Sequence, residues 1–506
     1  MGVIARQSIK GAIANYIGVA IGFYVSFFVL TRYLTQEEIG LTRVMVDAAM
    51  LFSSLASLGA NASIVRFFPH FKDNGTHHGI FGWSLLLPLA GFSLFALLFL
   101  IFRQPLLEVY SQKAPLLADY FLLVPMLTFF ALYTTVFETN ASVLMRITVP
   151  KMVREVGIRL FNLAAYLLYG FRLISLDLFV WLFCGSYALA MLLNLFYLLR
   201  ISGFNRQIFR PDRHFLDREK TRGILRYTLF MTAAVLAGNI PLFNSLFLGA
   251  KAGLALTGVY TIASYVANVV EVPYRSLGAI SRPVIAAAIK ESRWDEVSRL
   301  GRQVSLHQLL VSTLIFTTIW INIDALFAVI PNGADYASGA IVVFVLGMAK
   351  VLNSSLSIGT DILNYSRLYS RSLLFIAVLT AAAIGFNQWL IPRMGIGGAA
   401  AATLCAYGVY FALLLGYLWW KLHVSLFSAA QLKVLALGAL MLLLGWAWQH
   451  WMSPLLGWHV IADAALKSLI LLALTAAAVY LWRVSPTLNH MIKKRAAHNN
   501  QPHAHV

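Results

Sequence analysis

Apolar residues run along this chain in long unbroken stretches, separated by short polar breaks. A bilayer core needs about 20 such residues per helix. The pattern predicts spanning helices at 12–31, 41–60, 80–102, 118–143, 155–170, 176–199, 224–248, 256–278, 304–325, 338–360, 370–390, 396–420, 430–449 and 460–482. A membrane barrel would need strands of about ten residues that alternate apolar and polar. Runs such as LLLPLAGFSLFALLFLIF are continuous instead. The expected fold is therefore an all-α integral membrane protein with about fourteen transmembrane helices. The first apolar run follows Arg6 and Lys10 and exceeds the length of a signal-peptide core, which marks an uncleaved first helix.

The polar breaks organise these helices. The longest, residues 200–223, is rich in arginine and separates six predicted helices from the next six. The two halves share a spacing. Gly40 opens a helix that Gly59 closes, with Arg66 and Pro69 beyond it, and Gly258, Gly278, Arg282 and Pro283 repeat the series about 218 residues later. Six helices per half make a parallel repeat, with its pseudo-twofold axis along the membrane normal. The expected division is a six-helix bundle at 1–199, a cytoplasmic linker at 200–223, a second six-helix bundle at 224–422, an extra helix pair at 423–482 and a basic, histidine-containing tail at 483–506.

Composition agrees with the pattern. Of 506 residues, 60% are hydrophobic and 12% charged, with a mean hydropathy of +0.75, whereas soluble domains average about 25% charged. The net charge of +19 would suggest nucleic acid in a soluble chain. Here it follows topology. With the amino terminus inside, 31 of the 39 lysines and arginines fall on the inner side, as the positive-inside rule requires. Both termini are then cytoplasmic, and nucleic acid is excluded as a partner. Cys184 and Cys405 lie within apolar runs and read as small buried side chains. No P-loop, HExxH, GxSxG or GxGxxG is present, so no cofactor, metal or catalytic site is expected. The histidines of HNNQPHAHV read as part of an unpacked end rather than a metal site.

Polar side chains inside the predicted helices are costly and mark function. Lys350 falls at mid-helix, with Asn353 one turn on and no acid within two turns. It is the first candidate for an anion contact. Arg43 with Asp47 and Glu271 with Arg275 have i,i+4 spacing and share a helix face. Glu138 with Asn140, and Asn239, Asn244 and Asn268, complete the candidates. The asparagines suit sugar hydroxyls or contacts between helices equally. Lys467, near a helix end, reads as a snorkelling side chain. The inner segments 146–156 and 365–371 read as basic loops.

Three stretches carry a resemblance: RYLTQEEIGLTRVMVDAAMLFSSLASLGANASIVRFFP at 32–69, LGAKAGLALTGVYTIASYVANVV at 248–270 and IPRMGIGGAAAATL at 391–404. In the first, Thr35 and Glu38 fit a capping box. In the third, Gly395, Gly397 and Gly398 permit close backbone packing. With the helix count and the central loop, the chain resembles the oligosaccharide flippases, the polysaccharide-transporter branch of the MOP superfamily. The resemblance implies a secondary transporter of the bacterial inner membrane. It would move a polyprenyl-pyrophosphate-linked oligosaccharide, such as an O-antigen, lipopolysaccharide or exopolysaccharide repeat unit, to the outer leaflet. It further implies H+ or Na+ as a possible coupling ion, a polar cavity between the two bundles, and a glycan polymerase and glycosyltransferases as partners. A peptidoglycan-precursor flippase and a multidrug exporter are alternatives within the superfamily. A membrane glycosyltransferase or polymerase is the alternative of another class, and it would need catalytic carboxylates near a sizeable loop.

Overall fold

The computed structural model describes residues 17–71, 79–202, 210, 222–224, 227–228, 231–232 and 240–482, leaving aside the side chains of 70, 240–242, 275, 276, 279, 280 and 456. Every regular element among the described residues is helical. The chain forms two compact units, one of residues 1–262 and 383–399, the other of 263–382 and 400–506.

The first unit contains α1 (Ile17–Tyr33) and then α2 (Gln36–Ala56), α3 (Ala60–Phe71), α4 (Ile80–Ile101), α5 (Arg103–Ser111), α6 (Leu123–Val143), α7 (Ile158–Gly170), α8 (Leu176–Ile201) and α9 (Ile240–Lys251). It also contains most of α10 (Leu254–Asn268). The expected capping box starts α2. Glu38 N donates to Thr35 Oγ1 at 3.3 Å, and Thr35 N donates to Glu38 Oε2 at 2.8 Å. Two orphan donors are thereby satisfied at an end that would otherwise leave them bare. Beyond the cap, α2 buries Ile39, Leu41, Val44 and Met45 and packs along α6, which in turn packs on α8.

The second unit contains α11 (Val272–Lys290), α12 (Trp294–Ile321), α13 (Ala340–Tyr365), the outer parts of α14 (Ser372–Leu422), then α15 (Ala429–Ala447) and α16 (Val460–Leu481). The extra pair is bound in by apolar packing. Leu306, Leu309 and Leu310 of α12 meet Val434 and Leu437 of α15 and Val479 of α16.

Among the described residues, nine helical segments are long and apolar enough to cross a membrane, and α1 is a shorter apolar helix. The expected eleventh and twelfth spans join into α14, broken at Gly395 by a non-helical φ of 54° and ψ of −128°. Of the expected seventh span, residues 224, 227–228, 231–232 and 240 onward are described, and all are helical; the fourth and fifth spans correspond to α6 and α7. Several expectations are corrected. Segment 146–156, expected as a loop, is helical from Thr148 on and runs through a π-helical turn, Val153–Gly157, into α7, its charges paired as Arg154 with Glu138 and Glu155 with Arg159 rather than left to solvent. Lys467 does not snorkel but is 2% exposed. Cys184 is buried as expected, whereas Cys405 is exposed on α14, since a helix facing lipid buries only one of its sides.

The proposed repeat has a local signature. A Cβ on Gly40 would lie 2.0 Å from the Leu254 carbonyl oxygen, and one on Gly258 would lie 2.0 Å from the Gln36 carbonyl oxygen. Residues 36 and 254, and 40 and 258, are separated by the offset read from the sequence. The starts of α2 and α10 thus cross in a reciprocal contact, as a twofold relation demands. Any side chain at either glycine would strike backbone, which has no rotamer to yield.

Candidate functional site

Lys350 sits in the eleventh position of α13 and is buried. Its Nζ lies 3.2 Å from Glu271 Oε2. Asn353, one turn on, donates from Nδ2 to Glu271 Oε1 at 2.8 Å. Both oxygens of one carboxylate are therefore held by one face of α13. Glu271 ends a single 3-10 turn, Val269–Glu271, inserted between α10 and α11. Pro273 follows in the first turn of α11. A proline has no N–H and cannot extend the ladder across that joint, so the α-helical hydrogen bonding is interrupted where the carboxylate is gripped.

Eleven residues farther along both helices a second pair forms. Arg282 Nε donates to Asp361 Oδ2 at 2.9 Å, and Arg282 Nη2 donates to the Tyr274 hydroxyl at 2.8 Å. The separation in sequence is 79 residues in both pairs, which is the register of two parallel helices. The polarity is reversed between them: acid on the first helix and base on α13 in one, base and acid in the other. Sliding the helices by one pair would set like charges together, so the charges fix the register.

On other sides of α13, Met348, Val351, Leu352 and Ser355 line an apolar groove of about 870 Å³. Its remaining walls come from α12, α14 and the extra helix α15, through residues such as Phe316, Leu404, Leu435 and Ala439. Single residues of this kind read as ordinary lipid-facing side chains, so the groove had no signature in the sequence.

Of the other expected site residues, Arg43, Asp47, Glu138, Asn140 and Asn244 stay in separate places within the first unit, and Asn268 lies in the second. Arg43 Nε lies 2.6 Å from Asp47 Oδ2, and Ser245 Oγ donates to the same oxygen at 2.6 Å. Glu138 pairs with Arg154 at 2.9 Å. Asn140 and Ser84 exchange hydrogen bonds at 3.0 and 3.1 Å, joining α6 to α4. Asn244 Nδ2 donates to the Tyr260 hydroxyl at 2.7 Å and its Oδ1 accepts from Asn387 at 2.9 Å; Asn387 had not been singled out. Asn268 is exposed at the end of α10. Asn239, the side chain of Arg275, most of 200–223 and the 483–506 tail lie outside the described residues. Outside the spanning segments, burial pushes the Tyr110 phenol up to about 12. Its hydroxyl donates a hydrogen bond to the Leu246 carbonyl at 3.3 Å.

Sequence reasoning also missed a buried network on the extra helix pair. Asp463 accepts from Trp448 Nε1 at 2.9 Å and Ser453 Oγ at 2.8 Å, with Lys467 Nζ at 3.9 Å. Lys467 Nζ donates to Gln449 Oε1 at 3.0 Å. The i,i+4 spacing of Asp463 and Lys467 was the available signal. Among the described residues no group of three or more His, Cys, Asp or Glu is placed to hold a metal ion.

Residues 7–289 match the sequence profile of the family described as "Polysaccharide biosynthesis protein". No curated protein matches the chain. Among solved structures, the lipid II flippase MurJ in an inward closed conformation superposes with a TM-score of 0.70 at 10% identity, covering 94% of this chain and 100% of that one. An inward-facing multidrug resistance MATE family transporter of the MOP superfamily gives 0.58 at 16% identity, covering 86% and 99%. A MOP superfamily transporter from Pyrococcus furiosus gives 0.51 at 16%, covering 81% and 94%. At these identities the likeness is one of fold.

Proposed function

The chain belongs to the polysaccharide biosynthesis protein family, and we propose that it is a secondary transporter that flips a polyprenyl-pyrophosphate-linked oligosaccharide from the cytoplasmic to the outer leaflet. One observation carries this reading: α13 presents a buried ammonium and a half-buried amide on one side, at Lys350 and Asn353, and an apolar groove on another. An amphiphile with an anionic head and a long hydrocarbon chain is the substrate class that uses both. The groove would keep the polyprenyl chain in an apolar setting, and hydrogen-bonding groups would replace the water that the pyrophosphate and sugars lose. Arg43, Asp47, Glu138, Asn140, Asn239, Asn244, Asn268, Glu271 and Arg275 remain the further candidates for contact with the head. The chain would expose its site to each side of the membrane in turn. Proton or sodium coupling, a bacterial inner-membrane location with cytoplasmic termini, and association with a glycan polymerase belong to the same proposal.

MurJ is named a lipid II flippase and the MATE structure a multidrug resistance transporter, so both alternatives are tested beside it. Cells lacking the gene should lose a surface polysaccharide and accumulate its lipid-linked repeat unit on the cytoplasmic face. Unchanged surface glycan with arrested peptidoglycan synthesis would instead assign the peptidoglycan precursor, and unchanged glycan with drug sensitivity would assign export of drugs.

A further inference from the structure

We propose that Glu271 is a resident stand-in for the phosphate-type anion of the substrate, holding the anion site shut and the 3-10 joint tied to α13 until a pyrophosphate displaces it. This rests on the transport reading above and adds how the site is occupied at rest. The groups that hold Glu271 are those that recognise a phosphate: one ammonium at 3.2 Å and one amide N–H at 2.8 Å. A phosphate oxygen accepts from both as a carboxylate does. The site is therefore built for an anion and already contains one, which removes the cost of an unpaired lysine at mid-helix.

The position of Glu271 gives the exchange a consequence. It lies on the 3-10 turn between α10 and α11, followed by Pro273, where the backbone ladder is weakest. The contacts from Lys350 and Asn353 strap that joint to α13. Farther along, Arg282 and Asp361 hold α11 to α13 by a separate pair. When a pyrophosphate takes Lys350 and Asn353, Glu271 is released by like-charge repulsion, and the joint is freed while the Arg282 pair keeps the register. Substrate binding and release of the joint from α13 then share one side chain.

The test is pyrophosphate binding by the purified full chain in phosphatidylcholine nanodiscs, measured by calorimetry. One arm titrates inorganic pyrophosphate, a second uses polyprenyl pyrophosphate in the disc, and a third uses phosphatidylglycerol. Glu271→Gln keeps shape and hydrogen bonding but removes the competing charge. Apparent affinity rises as the inverse of the fraction of time a site is free, so about a tenfold gain is expected if that fraction is about one tenth. The gain should appear with both pyrophosphates and not with phosphatidylglycerol. The pair Lys350→Gln with Glu271→Gln leaves no orphan charge, so it should fold and bind neither pyrophosphate. Asp361→Asn should leave the affinity at the wild-type value. Equal or weaker binding by Glu271→Gln, a gain confined to phosphatidylglycerol, or binding that survives in the double variant would overturn the proposal. If such a chain still exports glycan in cells, only the stand-in role is lost; failure of the wild-type chain to export glycan removes the transport reading itself.

Discussion

At the scale of single residues, buried charge decides what can be changed. Asp463 is met by two neutral donors and, at 3.9 Å, by Lys467. Removing one partner of such a pair leaves an uncompensated charge, which costs about 3–5 kcal/mol, whereas replacing both with apolar groups is often neutral. Asp463→Ala should therefore lower the thermal midpoint of the purified protein sharply, and adding Lys467→Met should restore most of it. A single variant as stable as the wild type would show that Lys467 is neutral where it lies. Lys350 was legible from the sequence because its own helix offers no acid within two turns. Its partner could be read only as an acid on another helix, such as Glu138 or Glu271; Glu271, 79 residues away, is singled out once the parallel pairing of α10–α11 with α13 is known. Asp463 and Lys467 shared a visible spacing, but their setting depends on Trp448, Gln449 and Ser453, which follow α15.

At the scale of elements, the helices were legible because continuous apolar runs leave one solution in a bilayer. The capping box at Thr35 and the break at Gly395 were equally readable, each being a local property. Gly40 and Gly258 were readable as equivalent positions, while their meeting across two helices was not. The groove is the opposite case: it is formed by four helices whose lining residues are individually unremarkable. Ala439 lies on its α15 wall and is exposed, so a larger residue there fills space without disturbing a packed core. Ala439→Trp should reduce glycan export several-fold at normal protein abundance, with the residual rate higher for substrates carrying a shortened lipid. Full activity in a quantitative surface-glycan assay would remove the groove from the transport path.

At the scale of the whole molecule, the family follows from the match over 7–289 and the fold from the likeness to MurJ and MATE structures. The sequence disclosed this class through its distribution of apolar and basic residues, which reports on the membrane as solvent. It was less informative about the candidate site, because the cluster of Lys350, Asn353 and Glu271 and the groove on other sides of α13 form only where distant helices meet. The central claim is movement of a lipid-linked glycan across a bilayer, and its most direct measurement needs only the purified chain. Proteoliposomes containing a fluorescent polyprenyl-pyrophosphate oligosaccharide are treated with an impermeant quencher or glycosidase, and the fraction reached is followed in time. The account predicts that the chain makes the inner-leaflet pool accessible, while protein-free vesicles, and vesicles loaded with a phospholipid of similar charge, remain half protected. Equal protection with and without the protein, or equal movement of the phospholipid, would contradict it.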